Sequence, residues 1–155
     1  MLSEAMVKLG QHEGAGLTHH RHLTPSLFHD SRRRNVGLIG GSFNPAHDGH
    51  LHMAMLARKI LGLDEIWWMV TPQNPLKPSE DMSLLQNRLA YARKLVGKRT
   101  YIRVIAPELG ARNNYTFNTL NLLHKVVPRV NFVWIMGADN LIQFHKWHRY
   151  RNIVD

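Results

Sequence analysis

The sequence predicts one α/β domain built on a doubly wound parallel sheet, and three observations lead there. From Asn35 onward, short apolar runs bounded by Gly or Pro alternate with amphipathic stretches of helical length. Strands alternating with helices of that length form βαβ units, whose right-handed crossovers cover both faces of a parallel sheet. The chain has 155 residues, 44% hydrophobic and 20% charged, enough for one globular domain to bury its own core. Finally, the first apolar run ends in Gly40-Gly41-Ser42-Phe43-Asn44-Pro45, a bend of the kind that forms ligand loops at the carboxyl ends of parallel strands.

Met1–Arg34 stands apart. It holds five of the eleven histidines and the run Arg32-Arg33-Arg34, without a helical or alternating pattern. Such a segment buries too little apolar surface to offset its ordering entropy, so residues 1–34 are read as a poorly ordered, His/Arg-rich extension. His19, His20 and His22 lack an acidic or Cys neighbour and read as a solvated tail, not a metal site. Glu4, Glu13 and Asp30 argue against a transit peptide.

The body, 35–155, then reads in order. Val36–Ile39 is a short strand. Leu51–Leu61 is a helix with Leu51, Ala54, Met55 and Ile60 at helical spacing, closed by Gly62. Glu65–Val70 is a buried strand ended by Thr71-Pro72. Past the loop 73–78, a helix runs from about Ser83 to Val96, with Leu84, Leu85, Leu89, Ala92 and Leu95 on one side. Tyr101–Ala106 is a third strand, Tyr115–Val127 a helix stopped by Pro128, and Asn131–Met136 a fourth strand. Gly137-Ala138-Asp139 leads into a last helix from about Asn140.

Composition narrows the function. There is no cysteine, hence no disulfide framework, thiolate zinc site or cysteine nucleophile, and a reducing cytoplasm is the expected setting. No apolar run approaches the roughly 20 residues of a membrane span. The net charge of +9 suits any polyanion, ATP and nucleic acid alike. The basic residues are dispersed and no aromatic-basic RNA signature interleaves them, so nucleic acid is not expected as a partner.

The bend carries the chemistry. Gly40 and Gly41 let the backbone approach a ligand, and Asn44-Pro45 sets a turn. The following helix start presents free amides and its positive dipole end, which suits an anion. His47 and His50, three residues apart on its first turn, share a face and can donate hydrogen bonds to phosphoryl oxygens. A tight turn with two structural histidines is the plain alternative. The loop is neither Gly-x-x-x-x-Gly-Lys-Ser/Thr nor Gly-x-Gly-x-x-Gly.

Gly41-Ser42-Phe43-Asn44-Pro45-x-His47-x-Gly49-His50 resembles the phosphate loop of the His-x-Gly-His nucleotidyltransferases, which have a Rossmann-like fold. Asn74-Pro75-Leu76-Lys77, Asn114-Tyr115-Thr116-x-x-Thr119-Leu120 and Gly137-Ala138-Asp139 with Phe144-x-x-Trp147 narrow the resemblance to the bacterial nicotinate-nucleotide adenylyltransferases.

That resemblance implies transfer of AMP from ATP to nicotinate mononucleotide, with Mg2+ accompanying ATP, giving deamido-NAD and pyrophosphate. It implies His50 and His47 as catalytic. For ATP it implies Gly40, Gly41, Ser42, Phe43, His47, His50, Gly137 and Asp139, the last on a ribose hydroxyl. For nicotinate mononucleotide it implies Asn44, Lys77, Thr116, Trp147 and His148, with Thr116 on the carboxylate and Trp147 stacked on the ring. Residue chemistry alone leaves alternatives: Lys77 as a solvated loop lysine, Thr116 and Asp139 as helix caps, Trp147 as core.

The sequence departs from the family in two places. Asn44 stands where many relatives carry Asp. The family also continues to a Ser/Thr-rich segment with an Arg that embraces the ATP phosphates, whereas this chain stops at Asn152-Ile153-Val154-Asp155. The C-terminal strands and helices of the fold are therefore expected to be absent. A sister enzyme such as pantetheine-phosphate adenylyltransferase or a cytidylyltransferase, and an inactive nucleotide-binding fragment, are the rival readings.

Overall fold

The computed structural model describes residues 33–71, 83–107 and 115–154. The extension as far as Arg32, the Asn74–Lys77 motif and Asn114 lie outside the described residues. Parallel strands β1 (Arg34–Gly41), β2 (Glu65–Val70), β3 (Ile102–Ile105) and β4 (Val130–Ile135) pair in the order β3-β2-β1-β4. Between them run helices α1 (Asp48–Leu61), α2 (Leu85–Val96) and α3 (Thr116–Val126). After β4 come α4 (Ala138–Gln143), a 3-10 turn (Phe144–Lys146) and α5 (Arg151–Val154).

Central strand β2 is buried on both faces, as a parallel strand flanked by helices must be. All six residues of β2 are buried, and alternate ones serve different cores. Ile66, Trp68 and Val70 pack with Ile39, Leu51 and Ala54 of α1, and Leu89, Ala92 and Val96 of α2. Trp67 and Met69 pack with Val36, Leu38 and Val130 against Leu120 and Leu123 of α3. Helices α1 and α2 thus cover one face and α3 the other, so the winding direction reverses between β1 and β4. Ligands bind at such a reversal, outside the carboxyl ends of the strands.

Several boundaries depart from the sequence reading. Strand β1 begins at Arg34, not Val36, because Arg34 pairs with Val130 and its guanidinium lies 3.0 Å from the Glu65 carboxylate. It also runs on through Gly40 and Gly41, which pair with Met69 and Val70. Helix α1 starts at Asp48 with His47 as its N-cap, ahead of the apolar run from Leu51 and in line with a first turn carrying His47 and His50. Gly62 closes it in the left-handed conformation (φ 61°) as expected.

Of the apolar positions proposed for the core face of α1, Leu51 and Ala54 are buried. Met55 and Ile60 are 47% and 69% exposed, because they lie round the helix from the Leu51–Ala54 stripe. Leu84 precedes α2 and is exposed. The single last helix expected from Asn140 begins at Ala138 and is broken. Trp147 leaves helical geometry (φ −74°, ψ 143°) and sets its ring edge-on to Trp134, and Arg149 turns with φ 51°.

Candidate active site

Ile39 is in register with both Trp68 and Ile135, so Gly41 and Gly137, each two residues further on, leave β1 and β4 side by side. This is the reversal point. The Gly41 carbonyl accepts from the Thr71 amide at 2.9 Å and the Thr71 hydroxyl at 3.2 Å, which ties the loop after β1 to the end of β2.

The bend itself is held by an aromatic ring. Phe43 adopts φ 46°, a left-handed conformation that costs a non-glycine residue on the order of 1 kcal/mol and persists only where the surroundings over-determine it. Its ring is 2% exposed, stacks on Trp68 at 5.1 Å and touches the His50 ring at 4.7 Å. Phe43 therefore enters the core and backs the His50 imidazole with apolar surface. The Asn44–Pro45 peptide that follows is cis, and Asn44 Oδ1 accepts from the Ser83 amide at 3.2 Å.

His47 is the N-cap of α1 and His50 its third residue. The His47 amide donates to His50 Nδ1 at 3.2 Å, the His50 amide donates to the His47 carbonyl at 2.9 Å, and the ring centroids are 3.9 Å apart. An Nδ1 that accepts a hydrogen bond carries no proton, so the neutral His50 ring holds its proton on Nε2 and offers it as a donor. Burial lowers the His50 pKa below its usual value, and the adjacent His47 lowers it further; a hydrogen bond with the His47 backbone and, less, the charge of Asp139 pull the other way.

Glycines make room for these side chains. A Cβ at Gly49 would lie 2.9 Å from His47 Nδ1, so Gly49 allows the His47 ring to fold back over the first turn. A Cβ at Gly137 would lie 2.6 Å from Asp139 Oδ1. The reason assigned to Gly40 needs correction: a Cβ there would lie 2.4 Å from Cη2 of Trp134, so the space beside Gly40 is filled by an indole. A Cβ at Gly41 would meet Phe43, at an ordinary 3.6 Å from its ring.

The remaining residues of interest gather around aromatic contacts. Trp147 is half-buried, edge-on to Trp134 at 5.9 Å and to Phe144 at 5.4 Å. His148 stacks on Tyr115 at 4.6 Å, which places it beside Thr116 at the start of α3. Thr116 is not the cap of its helix; Tyr115 occupies that position and makes no side-chain capping bond. Thr119 is the buried threonine, and its hydroxyl donates to the Tyr115 carbonyl. Asp139 is exposed, on the first turn of α4.

Two residues escaped the sequence reading. Trp134 links Gly40 to Trp147, and only the strand register reveals it. Arg88 is 3% exposed and donates to the carbonyls of Ser42, Thr71 and Ser83. A signal for Arg88 was present: at helical spacing it falls on the apolar side of α2 with Leu85, Leu89 and Ala92.

Residues 38–155 match the model of the family described as cytidylyltransferase-like. The chain belongs to that family. Among curated relatives, a Parvibaculum lavamentivorans protein named "probable nicotinate-nucleotide adenylyltransferase" is 49% identical over 133 residues, covering 85% of this chain and 62% of its own. An Agrobacterium fabrum protein of the same name is 48% identical over 120 residues, covering 77% of this chain and 64% of its own.

The chain thus spans under two thirds of these relatives' length. Among solved structures, Plasmodium falciparum nicotinic acid mononucleotide adenylyltransferase complexed with NaAD superposes with a TM-score of 0.65 at 17% identity, over 78% of this chain and 60% of its own. The likeness supports a Rossmann-like nucleotidyltransferase fold, in agreement with the sheet order. Among the described residues, no helix is long and apolar enough to cross a membrane.

Proposed function

We propose that the protein is a nicotinate-nucleotide adenylyltransferase of NAD biosynthesis, acting in the cytoplasm. The observation that carries this reading is the interlocked His47–His50 pair on the first turn of α1, at the sheet reversal, with the Nε2 proton of His50 available as a donor. The names of the relatives near 49% identity supply the substrates.

In this reading an oxygen of the nicotinate mononucleotide phosphate attacks the α-phosphorus of ATP. The bond from that phosphorus to the bridging oxygen breaks, and pyrophosphate leaves with the electron pair. The nucleophile is already ionised, so no general base is needed, and catalysis rests on alignment and on neutralising charge at the leaving group. His50 and His47 are the catalytic residues, donating to phosphoryl oxygens. Gly40, Gly41, Ser42, Phe43, Gly137 and Asp139 border the ATP side. Asn44, Thr116, Trp147 and His148, with Lys77 outside the described residues, border the nicotinate mononucleotide side.

Among the described residues no cluster of three or more His, Asp or Glu side chains is placed to hold a metal ion. The site offers the imidazoles of His47 and His50 and, from the first turns of α1 and α4, the carboxylates of Asp48 and Asp139. That donor set fits Mg2+ arriving on the ATP phosphates, since Mg2+ keeps waters and needs few protein ligands. When bound, the ion supplies charge neutralisation at the departing pyrophosphate.

Pyrophosphate release from ATP tests the reading, measured with nicotinate mononucleotide, nicotinamide mononucleotide and phosphopantetheine. It is run on this chain and on a form extended to the length of its relatives. The nicotinate acid is expected to win. Donors facing both carboxylate oxygens leave an amide NH2 opposed to one of them, at a cost of about 1–3 kcal/mol. Equal efficiency with the two pyridine nucleotides, or a preference for phosphopantetheine, would overturn it.

A further inference from the structure

We propose that Arg88 is a positioning residue of the nucleotide site, holding the loops after β1 and β2 in one arrangement. The proposal rests on the reading of that site given above. Arg88 enters from the apolar side of α2 and is almost fully buried. A cation is costly to bury unless its donors are satisfied, so a buried arginine needs a compensating set of acceptors. Its Nε donates to the Ser83 carbonyl at 2.8 Å, and its Nη1 donates to the carbonyls of Ser42 at 2.5 Å and Thr71 at 2.8 Å.

Those carbonyls come from three separate places in the fold. Ser42 follows β1, Thr71 follows β2, and Ser83 precedes α2. Cross-links join the same segments: the Thr71 amide to the Gly41 carbonyl, and the Ser83 amide to Asn44 Oδ1. A guanidinium is planar and its donors point in fixed directions, so it satisfies this set of carbonyls in only one relative placement. A lysine keeps the charge but not the fork.

The effect reaches the imidazoles through the chain. Ser42 precedes Phe43, whose left-handed backbone and buried ring back the His50 ring at 4.7 Å. Arg88 touches neither imidazole. It acts by fixing the peptide that aims Phe43, and so His50, toward the crevice.

The test uses a matched control. Arg103 is also a largely buried arginine, paired with the Glu65 carboxylate at the opposite end of the sheet. ATP affinity and steady-state kinetics are measured for wild type, Arg88→Lys and Arg103→Lys, together with melting temperature. Both variants are expected to lose some thermal stability. Arg88→Lys is expected to lower kcat/KM about 10-fold or more, the usual scale for sub-ångström misplacement of a site, while Arg103→Lys stays within about two-fold of wild type.

A second measurement needs no variant to fold. In wild type, the Arg88 Nε–H resonance is expected to shift on addition of ATP, with that of Arg103 unmoved. Wild-type ATP binding with an unmoved Arg88 resonance would overturn the proposal, as would Arg88→Lys kinetics matching Arg103→Lys. Absence of ATP binding by wild type would instead remove the nucleotide-site reading, and this proposal with it.

Discussion

At the amino ends of the strands, Arg34 of β1, Glu65 of β2 and Arg103 of β3 meet in one cluster. At the carboxyl ends of β1 and β4, His47 caps α1, His50 lies on its first turn, and Asp139 lies on the first turn of α4. In the first cluster the Glu65 carboxylate accepts from Trp67 Nε1 at 2.9 Å and from Arg103 at 2.6 and 2.9 Å, with Arg34 3.0 Å away. Burial alone would push the Glu65 carboxyl up; the bonds from Arg103 and Trp67, with the charges of Arg103 and Arg34, outweigh it and hold the group below its usual 4.5.

The carboxyl end follows another rule. It tolerates a left-handed Phe43, uses glycines where side chains must fold back, and leaves His47 and Asp139 exposed. At the amino end the Glu65 carboxylate is well satisfied, while Arg34 pairs with it by charge and leaves its buried Nε without a hydrogen-bond partner among the described residues; these groups serve stability. Those at the carboxyl end are oriented yet still open to a ligand, and the local rules of stable design are broken there.

The widest separation of the two ends is expected from His50→Ala. Losing one donor where charge develops costs roughly 3 kcal/mol of barrier, about 100-fold or more in kcat, while the melting temperature moves little. Near-normal turnover in a pyrophosphate-release assay would break the contrast from the functional side.

Glu65→Gln should do the reverse. It strands Arg103 and Arg34 beside a neutral amide, and breaking a buried pair costs about 3 kcal/mol, roughly 10 °C in Tm for a chain of this size. ATP affinity should be unchanged, and a calorimetric scan with a binding titration checks both.

The same cluster fixes a pH signature. The folded carboxyl titrates below the ordinary 4.5, so it binds fewer protons than in the unfolded chain. Its contribution is full above about pH 4.5 and fades as pH falls through the folded value. Acid unfolding followed by circular dichroism should show this loss in wild type, and Glu65→Gln should lack it.

Gly40→Ala tests the packing beneath the crevice. With Trp134 Cη2 at 2.4 Å from the new methyl group, overpacking should cost about 1–3 kcal/mol. Trp134→Phe, which removes that atom, should restore most of the loss in the double variant. Additive losses would show that the two residues do not share the space.

The smallest stability effect and the sharpest dissociation belong to Gly49→Ala. Alanine is favoured over glycine within a helix by up to about 1 kcal/mol, yet here its methyl would displace the His47 ring. Melting temperature should hold or rise while kcat falls. A variant with both unchanged would show that the placement of His47 is irrelevant to turnover.

Much of this was legible in the chain. Glu65–Val70 is a strand over the residues its apolar run marks, Gly62 closes α1 as its place after Leu61 implies, and the three-residue spacing of His47 and His50 does place their rings together. These are local facts: a strand, a helix stop and a shared helix face depend on neighbours within one or two turns. The break after Gln143 was not legible, because Phe144-x-x-Trp147 suits a continuing helix until Trp134 draws Trp147 out of it.

By itself the sequence determined the alternation of strands and helices, the bend after the first strand, and the imidazole pair on the next helix. Only the tertiary structure decided that Trp134 fills the space beside Gly40, that Arg34 is part of β1, and that Arg88 bridges to Ser42 across 46 residues of chain. The physical reason is one of range. Periodicity and turn chemistry act between residues near in sequence, whereas the occupant of a glycine's empty space and the acceptors of a buried cation are set by strand register, which brings distant residues into contact.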